Sequence, residues 1–254
     1  MQGERLLTRL VENDVVDDTG DVPVLSESFR DRVDTYEADL ALQEEGAALG
    51  EYVRGELSDI QVPNRGSTFD SDDVPYLAEL LALTDRLADA ETALSVLPTL
   101  DLFGEDPPPV DGTPEFFVQV TGARLRTLVK VYERTIVYAW GHDCPPCDVV
   151  REDLEEFLDE PMEGIPLLAV CGEGCAELLY ETFELRGAPT LLFTIDGRVD
   201  LRLEGAQHKE VLESELDRFP SVGSPLASSG SDSDPDSEGE GSPDGDADPI
   251  DRGT

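Results

Sequence analysis

Cys144-Pro145-Pro146-Cys147 sets two thiols one helical turn apart, directly after the apolar run Thr135-Ile136-Val137-Tyr138-Ala139-Trp140. Two sulfurs at a strand-to-helix junction suit thiol-disulfide exchange: one thiolate attacks a disulfide and the second thiol releases the product. The prolines fix the local geometry. Proline lacks a backbone N–H and has a φ suited to the first helical turn, where N–H groups have no intrahelical partner, so Pro145 and Pro146 can open a helix. Cys144 is then the N-cap and Cys147 lies inside the first turn. The positive end of the helix dipole and the Cys147 N–H favour a thiolate on Cys144, and the more shielded Cys147 is the resolving thiol. Asp143 opposes ionisation of Cys144, and a protonated His142 would favour it.

The elements needed to hold this junction can be read on both sides of it. Phe116 to Val120 predicts a short strand, Ala123 to Glu133 a helix, and Thr135 to Trp140 a buried strand. After the dithiol, Val149, Val150, Leu154, Phe157 and Leu158 mark one face of a helix. Ile165 to Val170 is a further strand, and Ala176 to Phe183 a short helix. Thr190 to Ile195 and Val199 to Leu203 are strands joined by Asp196-Gly197, a dipeptide suited to a tight hairpin turn, and Lys209 to Phe219 is an amphipathic helix. The expected class is α/β, a mixed sheet with helices on both faces.

Residues 114 to about 219 resemble a thioredoxin domain. The resemblance rests on Cys144-Pro145-Pro146-Cys147, Trp140 just upstream, Arg186-Gly187-Ala188-Pro189-Thr190-Leu191-Leu192, Asp196-Gly197, and Glu204-Gly205-Ala206 before the last helix. It implies a thioredoxin-like fold with Pro189 in cis, its loop beside the dithiol, and a substrate segment meeting Trp140, Ala188 and Pro189. It also implies a protein-disulfide oxidoreductase of cell redox homeostasis with Cys144 and Cys147 as catalytic residues. Its partners would be protein disulfides and a thioredoxin reductase or small-thiol electron donor, with no cofactor. Two positions depart from the family pattern. Tyr138 stands where many thioredoxins carry a buried aspartate, so that proton acceptor is absent, and Asp143 stands where tryptophan is frequent.

Cys171-Gly172-Glu173-Gly174-Cys175 adds a second cysteine pair. By the strand order the resemblance implies, it shares a rim of the sheet with the first pair, and Cys175 could gain thiolate character from the helix that starts at Ala176. Three readings stand: a second redox pair or relay, a structural disulfide or two inert buried thiols, and a four-thiolate zinc site. His208 reads as a surface residue.

The chain carries 58 Asp+Glu against 18 Lys+Arg, a formal net charge of −40, and its only lysines are Lys130 and Lys209. At 1 M salt the Debye length falls to about 3 Å and screens such self-repulsion, which points to an extreme halophile with a salty cytoplasm. The absence of any basic region argues against nucleic-acid binding. No apolar run approaches a membrane span or the core of an export signal, so the expectation is a cytoplasmic protein without membrane association, where clustered cysteines are more often catalytic than structural.

Upstream, residues 1–103 predict a helical region. A short helix covers Arg5 to Val11, and Val15-Val16 and Val22 to Leu25 form a small hairpin. One long helix then runs from Phe29 to Leu57 and another from Pro75 to Leu97, packed as an antiparallel helical hairpin about a loop at Gln61 to Asp72. Their apolar faces are core, or a dimer or partner surface. Residues 104–113, with Pro107-Pro108-Pro109, read as a stiff linker, and 220–254 as a disordered acidic tail. A second functional reading accompanies the enzyme: a non-catalytic thioredoxin-fold binding module with its cysteines idle or holding zinc.

Overall fold

Residues 2–43, 46–57, 68–87 and 89–221 are described by the structure, a computed structural model. The acidic tail from residue 222 and the loop residues 61–67 lie outside the described residues.

The chain opens with helix α1 (Gln2–Glu12) and a two-residue hairpin in which β1 (Val16–Asp17) pairs antiparallel with β2 (Val24–Leu25). The long helix expected over 29–57 is instead two, α2 (Glu27–Leu40) and α3 (Ala47–Glu56). Gly46 explains the break: it sits at φ +90°, a conformation that side chains disfavour, and its N–H turns out of the helix to the Phe69 carbonyl at 2.7 Å. The second expected helix is likewise divided, into α4 (Val74–Leu87) and α5 (Ala90–Val96). Asp89 restarts it as an N-cap whose carboxylate accepts from the Glu91 and Thr92 N–H groups.

Five strands form the central sheet. They are β3 (Val118–Val120), β4 (Arg134–Trp140), β5 (Leu167–Cys171), β6 (Thr190–Ile195) and β7 (Arg198–Glu204), in the spatial order β3-β5-β4-β6-β7. β3, β5 and β4 are parallel, whereas β6 and β7 run antiparallel. Helices α6 (Gly122–Val131), α7 (Pro145–Phe157), α8 (Ala176–Phe183) and α9 (Lys209–Arg218) follow the strands in alternation. This is the thioredoxin-like mixed sheet that the resemblance implies. Asp196 and Gly197 both take positive φ at the β6–β7 turn, which suits the twist of a tight hairpin.

Strand side chains alternate between two apolar clusters. Val137, Ala139, Leu168, Val170 and Leu192 face α6 and α8, and the same cluster continues into Leu10, Phe29 and the leucines of α4. Ile136, Tyr138, Trp140, Ala169 and Phe193 face α7 and α9. Helix α6 is thus covered on its outer side by the N-terminal helices.

That contact is locked by charge. Arg124 of α6, with 3% of its side chain exposed, meets Glu79 at 2.5 Å and Asp101 at 2.7 Å. Burial works to strip its charge, but the two carboxylates outweigh it and raise its pKa. Further along α6, Lys130 lies 2.6 Å from the fully buried Asp73, whose other oxygen accepts from Thr127. Arg126 pairs with Asp70 and Asp72.

Removing one partner of a buried ion pair leaves the others uncompensated at a cost of about 3–5 kcal/mol, so Arg124→Ala should lose that much stability in urea denaturation. Asp70 carries a pH signature: desolvation pushes its carboxyl up, but Lys130 and Arg126 more than offset it and hold the pKa below the ordinary value. A depressed folded pKa gives stability that is present above the unfolded pKa and lost as pH falls through the folded one. Asp70→Asn should therefore lower the urea midpoint at neutral pH and converge with the parent protein under acid conditions.

Candidate active site

Cys144 caps α7 from a non-helical conformation, φ −114° and ψ 85°, with Pro145 and Pro146 filling the first helical positions. Because neither proline has an N–H, Cys147 supplies the first donor of the helix. It donates to the Cys144 carbonyl at 2.8 Å and to Cys144 Sγ at 3.3 Å. The two sulfurs are joined as a disulfide, with S–S 2.07 Å and Cα–Cα 5.2 Å. Cys144 is half-buried and Cys147 is 4% exposed. Of the two, Cys144 is the more accessible residue and Cys147 the more shielded.

The loop before β6 closes over the same place. The Ala188–Pro189 peptide bond is cis, and the Ala188 carbonyl oxygen lies 3.9 Å from Cys144 Sγ. Ala188 thus borders the dithiol just ahead of Pro189 and the buried Thr190. Two contacts hold this loop: Thr190 Oγ1 donates to the Gly187 carbonyl at 2.7 Å, and the Gly205 N–H donates to the Pro189 carbonyl at 2.8 Å. Gly205 adopts φ +75°, so the glycine ahead of the last helix serves the site by satisfying the proline's oxygen.

Trp140, expected at the substrate surface, is 2% exposed. Its indole N–H donates to Gln119 Oε1 at 2.9 Å, and the same oxygen accepts from Thr113 Oγ1 at 2.7 Å. Gly112 lies so closely on the ring that a Cβ there would overlap Trp140 Cε3. The stretch read from sequence as a mere spacer is thus laid against the site. Asp111 and Gly112 join Tyr138, Trp140, Cys144, Cys147 and Arg151 around a cavity of about 490 Å³. The hint available in the sequence was one glycine ending a Pro-rich run.

Tyr138 occupies the buried position beneath Cys147. Its hydroxyl donates to the Cys147 carbonyl at 2.8 Å, and burial pushes its pKa well above the ordinary phenol value. It is a neutral donor, not a base. His142, whose protonation would favour a Cys144 thiolate, is engaged by another group: Nδ1 lies 3.0 Å from Glu173 Oε2 and 3.8 Å from Cys171 Sγ. Asp143 bridges from His142 to Cys144 with φ +49°.

Cys171 and Cys175 are free thiols. They lie in different clusters: Cys171, at the end of β5, packs into the cluster of Trp140 and Cys147, whereas Cys175, at the start of α8, packs against the other, where a Cβ on Gly122 would meet its sulfur at 3.1 Å. The Cys175 thiol donates to the Cys171 carbonyl at 3.0 Å, and burial raises the pKa of both thiols. The expectation of a thiolate on Cys175 is corrected accordingly, since desolvation opposes charge there and no capping bond to α8 supports it. Among the described residues, no group of three or more His, Cys, Asp or Glu side chains is placed to hold a metal ion, and no helix is long and apolar enough to cross a membrane.

No family model matches the chain. Among solved structures it is similar to a mutant thioredoxin from Halobacterium salinarum NRC-1, at 18% identity over 40% of this chain and 88% of that one, with a TM-score of 0.34. Spinach chloroplast thioredoxin F (long form) gives 18% identity, coverage of 39% and 83%, and a TM-score of 0.34. Thioredoxin from Trypanosoma brucei brucei gives 17%, coverage of 41% and 91%, and 0.37. The fold is read from strand order and helix placement, independently of these likenesses.

Any Cβ at position 112 must displace the indole or the backbone, and forced overpacking of this kind costs about 1–3 kcal/mol. Trp140 is the only tryptophan, so Gly112→Ala should shift fluorescence emission to longer wavelength together with that loss of stability. Unchanged emission and stability would show that the segment does not rest on the ring.

Proposed function

We propose that the chain is a thiol-disulfide oxidoreductase acting on protein disulfides through Cys144 and Cys147. The observation that carries this reading is the partly exposed Cys144 sulfur at the open end of α7, bonded to Cys147 and bordered by the Ala188 carbonyl. In the reduced protein the Cys144 thiolate attacks one sulfur of a substrate disulfide. A mixed disulfide forms and the first substrate thiolate leaves. Cys147 then attacks Cys144 Sγ, the second substrate thiolate departs, and the Cys144–Cys147 bond records the two electrons passed to the substrate. A thioredoxin reductase or small thiol restores the dithiol.

The proposed roles of the neighbours follow their placement. Ala188 and Pro189 shape the groove for an extended substrate segment. Trp140, being buried, acts as a positioning residue by holding the end of β4 against Gln119 and Gly112. Because Tyr138 is a donor to the Cys147 carbonyl and not a base, the proton of Cys147 passes to solvent through the adjoining cavity. In this reading residues 114–219 carry the chemistry and residues 1–103 brace α6. The protein works in a salty cytoplasm, where its acidic surface is screened.

Cys144→Ser should abolish reduction of a protein disulfide in high salt, while Cys147→Ser should accumulate mixed disulfides that mass spectrometry identifies. Equal rates for Cys144→Ser and the parent protein would leave the binding-module reading in its place.

A further inference from the structure

The cavity beside the dithiol has features that exchange with a protein substrate does not use. It measures about 490 Å³, within the range of small-molecule sites, and both cysteines line it. It flanks the dithiol on the side walled by the linker residues Asp111 and Gly112, and neither Ala188 nor Pro189 lines it. The wall is fixed in place by Gly112 on the indole of Trp140 and by the Thr113 hydroxyl on Gln119.

Its charged groups have both signs. Asp111 is exposed on the linker side, with Asp143 and Asp148 at the mouth. Arg151, on the α7 side, reaches carboxylates only at 3.7 Å to Asp148 and 3.5 Å to Glu155, long contacts that leave the guanidinium available. His142, also at the rim, is engaged by Glu173. An acid and a base lining one cavity with the disulfide match a molecule bearing an ammonium, a carboxylate and a thiol.

We propose that this cavity binds an amino-acid-derived thiol, free or at the end of a short peptide, as the reductant of the Cys144–Cys147 disulfide. Asp111 holds its ammonium group and Arg151 its carboxylate. The proposal rests on the oxidoreductase reading and names its electron donor. The bound thiolate attacks Cys144 Sγ, the more exposed sulfur; the Cys144–Cys147 bond breaks, and Cys147 leaves as a thiolate that takes a proton from water. A second thiolate of the same kind attacks the donor sulfur of the mixed disulfide. Cys144 leaves as a thiolate and the donor departs as its disulfide. Two thiols thus supply the two electrons, and their protons balance those gained by the cysteines.

The test measures reduction of the oxidised full chain, in high salt, by cysteine, by cysteamine, which lacks the carboxylate, and by 3-mercaptopropionate, which lacks the amine. Each thiol is compared between the parent protein, Asp111→Asn and Arg151→Gln, so that differences in intrinsic thiol reactivity cancel. Asp111→Asn should slow cysteine and cysteamine roughly fivefold and leave mercaptopropionate no slower, as expected for losing one close charge pair in water. Arg151→Gln should slow cysteine and mercaptopropionate by a similar factor and leave cysteamine no slower. Cysteine decides the matter, because its attacking thiolate carries a single net negative charge, so a general surface field would speed it in Asp111→Asn and slow it in Arg151→Gln; only local pairing at both ends slows it in both variants. Cysteine rates unaffected in either variant, or all three thiols altered by one common factor, would overturn the proposal. Reduction of a protein disulfide dependent on Cys144 would still stand in that event, and its absence would be a separate failure.

Discussion

The first turn of α7 is the constraint on which the site depends. A helix begins with backbone N–H groups that have no partner within the helix. Pro145 and Pro146 remove two of them, so the first available donor belongs to Cys147, and it turns to the carbonyl and sulfur of Cys144. One sulfur is thereby left at the open end of the helix and the other is drawn inside. The asymmetry between the two sulfurs is thus a consequence of backbone hydrogen bonding, before any side chain from elsewhere takes part.

The rest of the molecule keeps that turn where a partner can reach it. β4 delivers the dithiol at the centre of the sheet, between β5 and β6. The loop before β6 contributes the Ala188 carbonyl, and Gly205, just past the end of β7, fixes that loop by satisfying the oxygen of Pro189. On the other side, Trp140 is gripped by Gln119 and Gly112.

The distribution of charge follows a related logic. In a chain with 18 basic residues against 58 acidic ones, three of the basic ones sit on the outer face of α6 and meet carboxylates from the preceding helical region. These three positive charges sit where burial makes an unpaired carboxylate costly, as for Asp73 with its fully buried side chain and for Glu79. The described N-terminal helices and α6 share one apolar cluster and one ion network, so the helical region is part of the same interior as the sheet.

The sequence alone determined features governed by short-range stereochemistry. The proline pair opens α7, strand alternation sets the two faces of the sheet, and Asp196-Gly197 makes the β6–β7 turn. These can be read because each depends on residues within a few positions of one another. Tertiary structure alone decided the pairings between distant segments: Gly112 on Trp140, Arg124 between Glu79 and Asp101, and His142 turned to Glu173. It also decided that the long apolar runs break at Gly46 and Asp89. Cys171 and Cys175 mark the boundary between the two kinds of information. Their spacing suggested a pair, yet one ends a strand facing α7 and the other begins a helix facing α6, and only the placement of both helices against the sheet sends the sulfurs to opposite clusters.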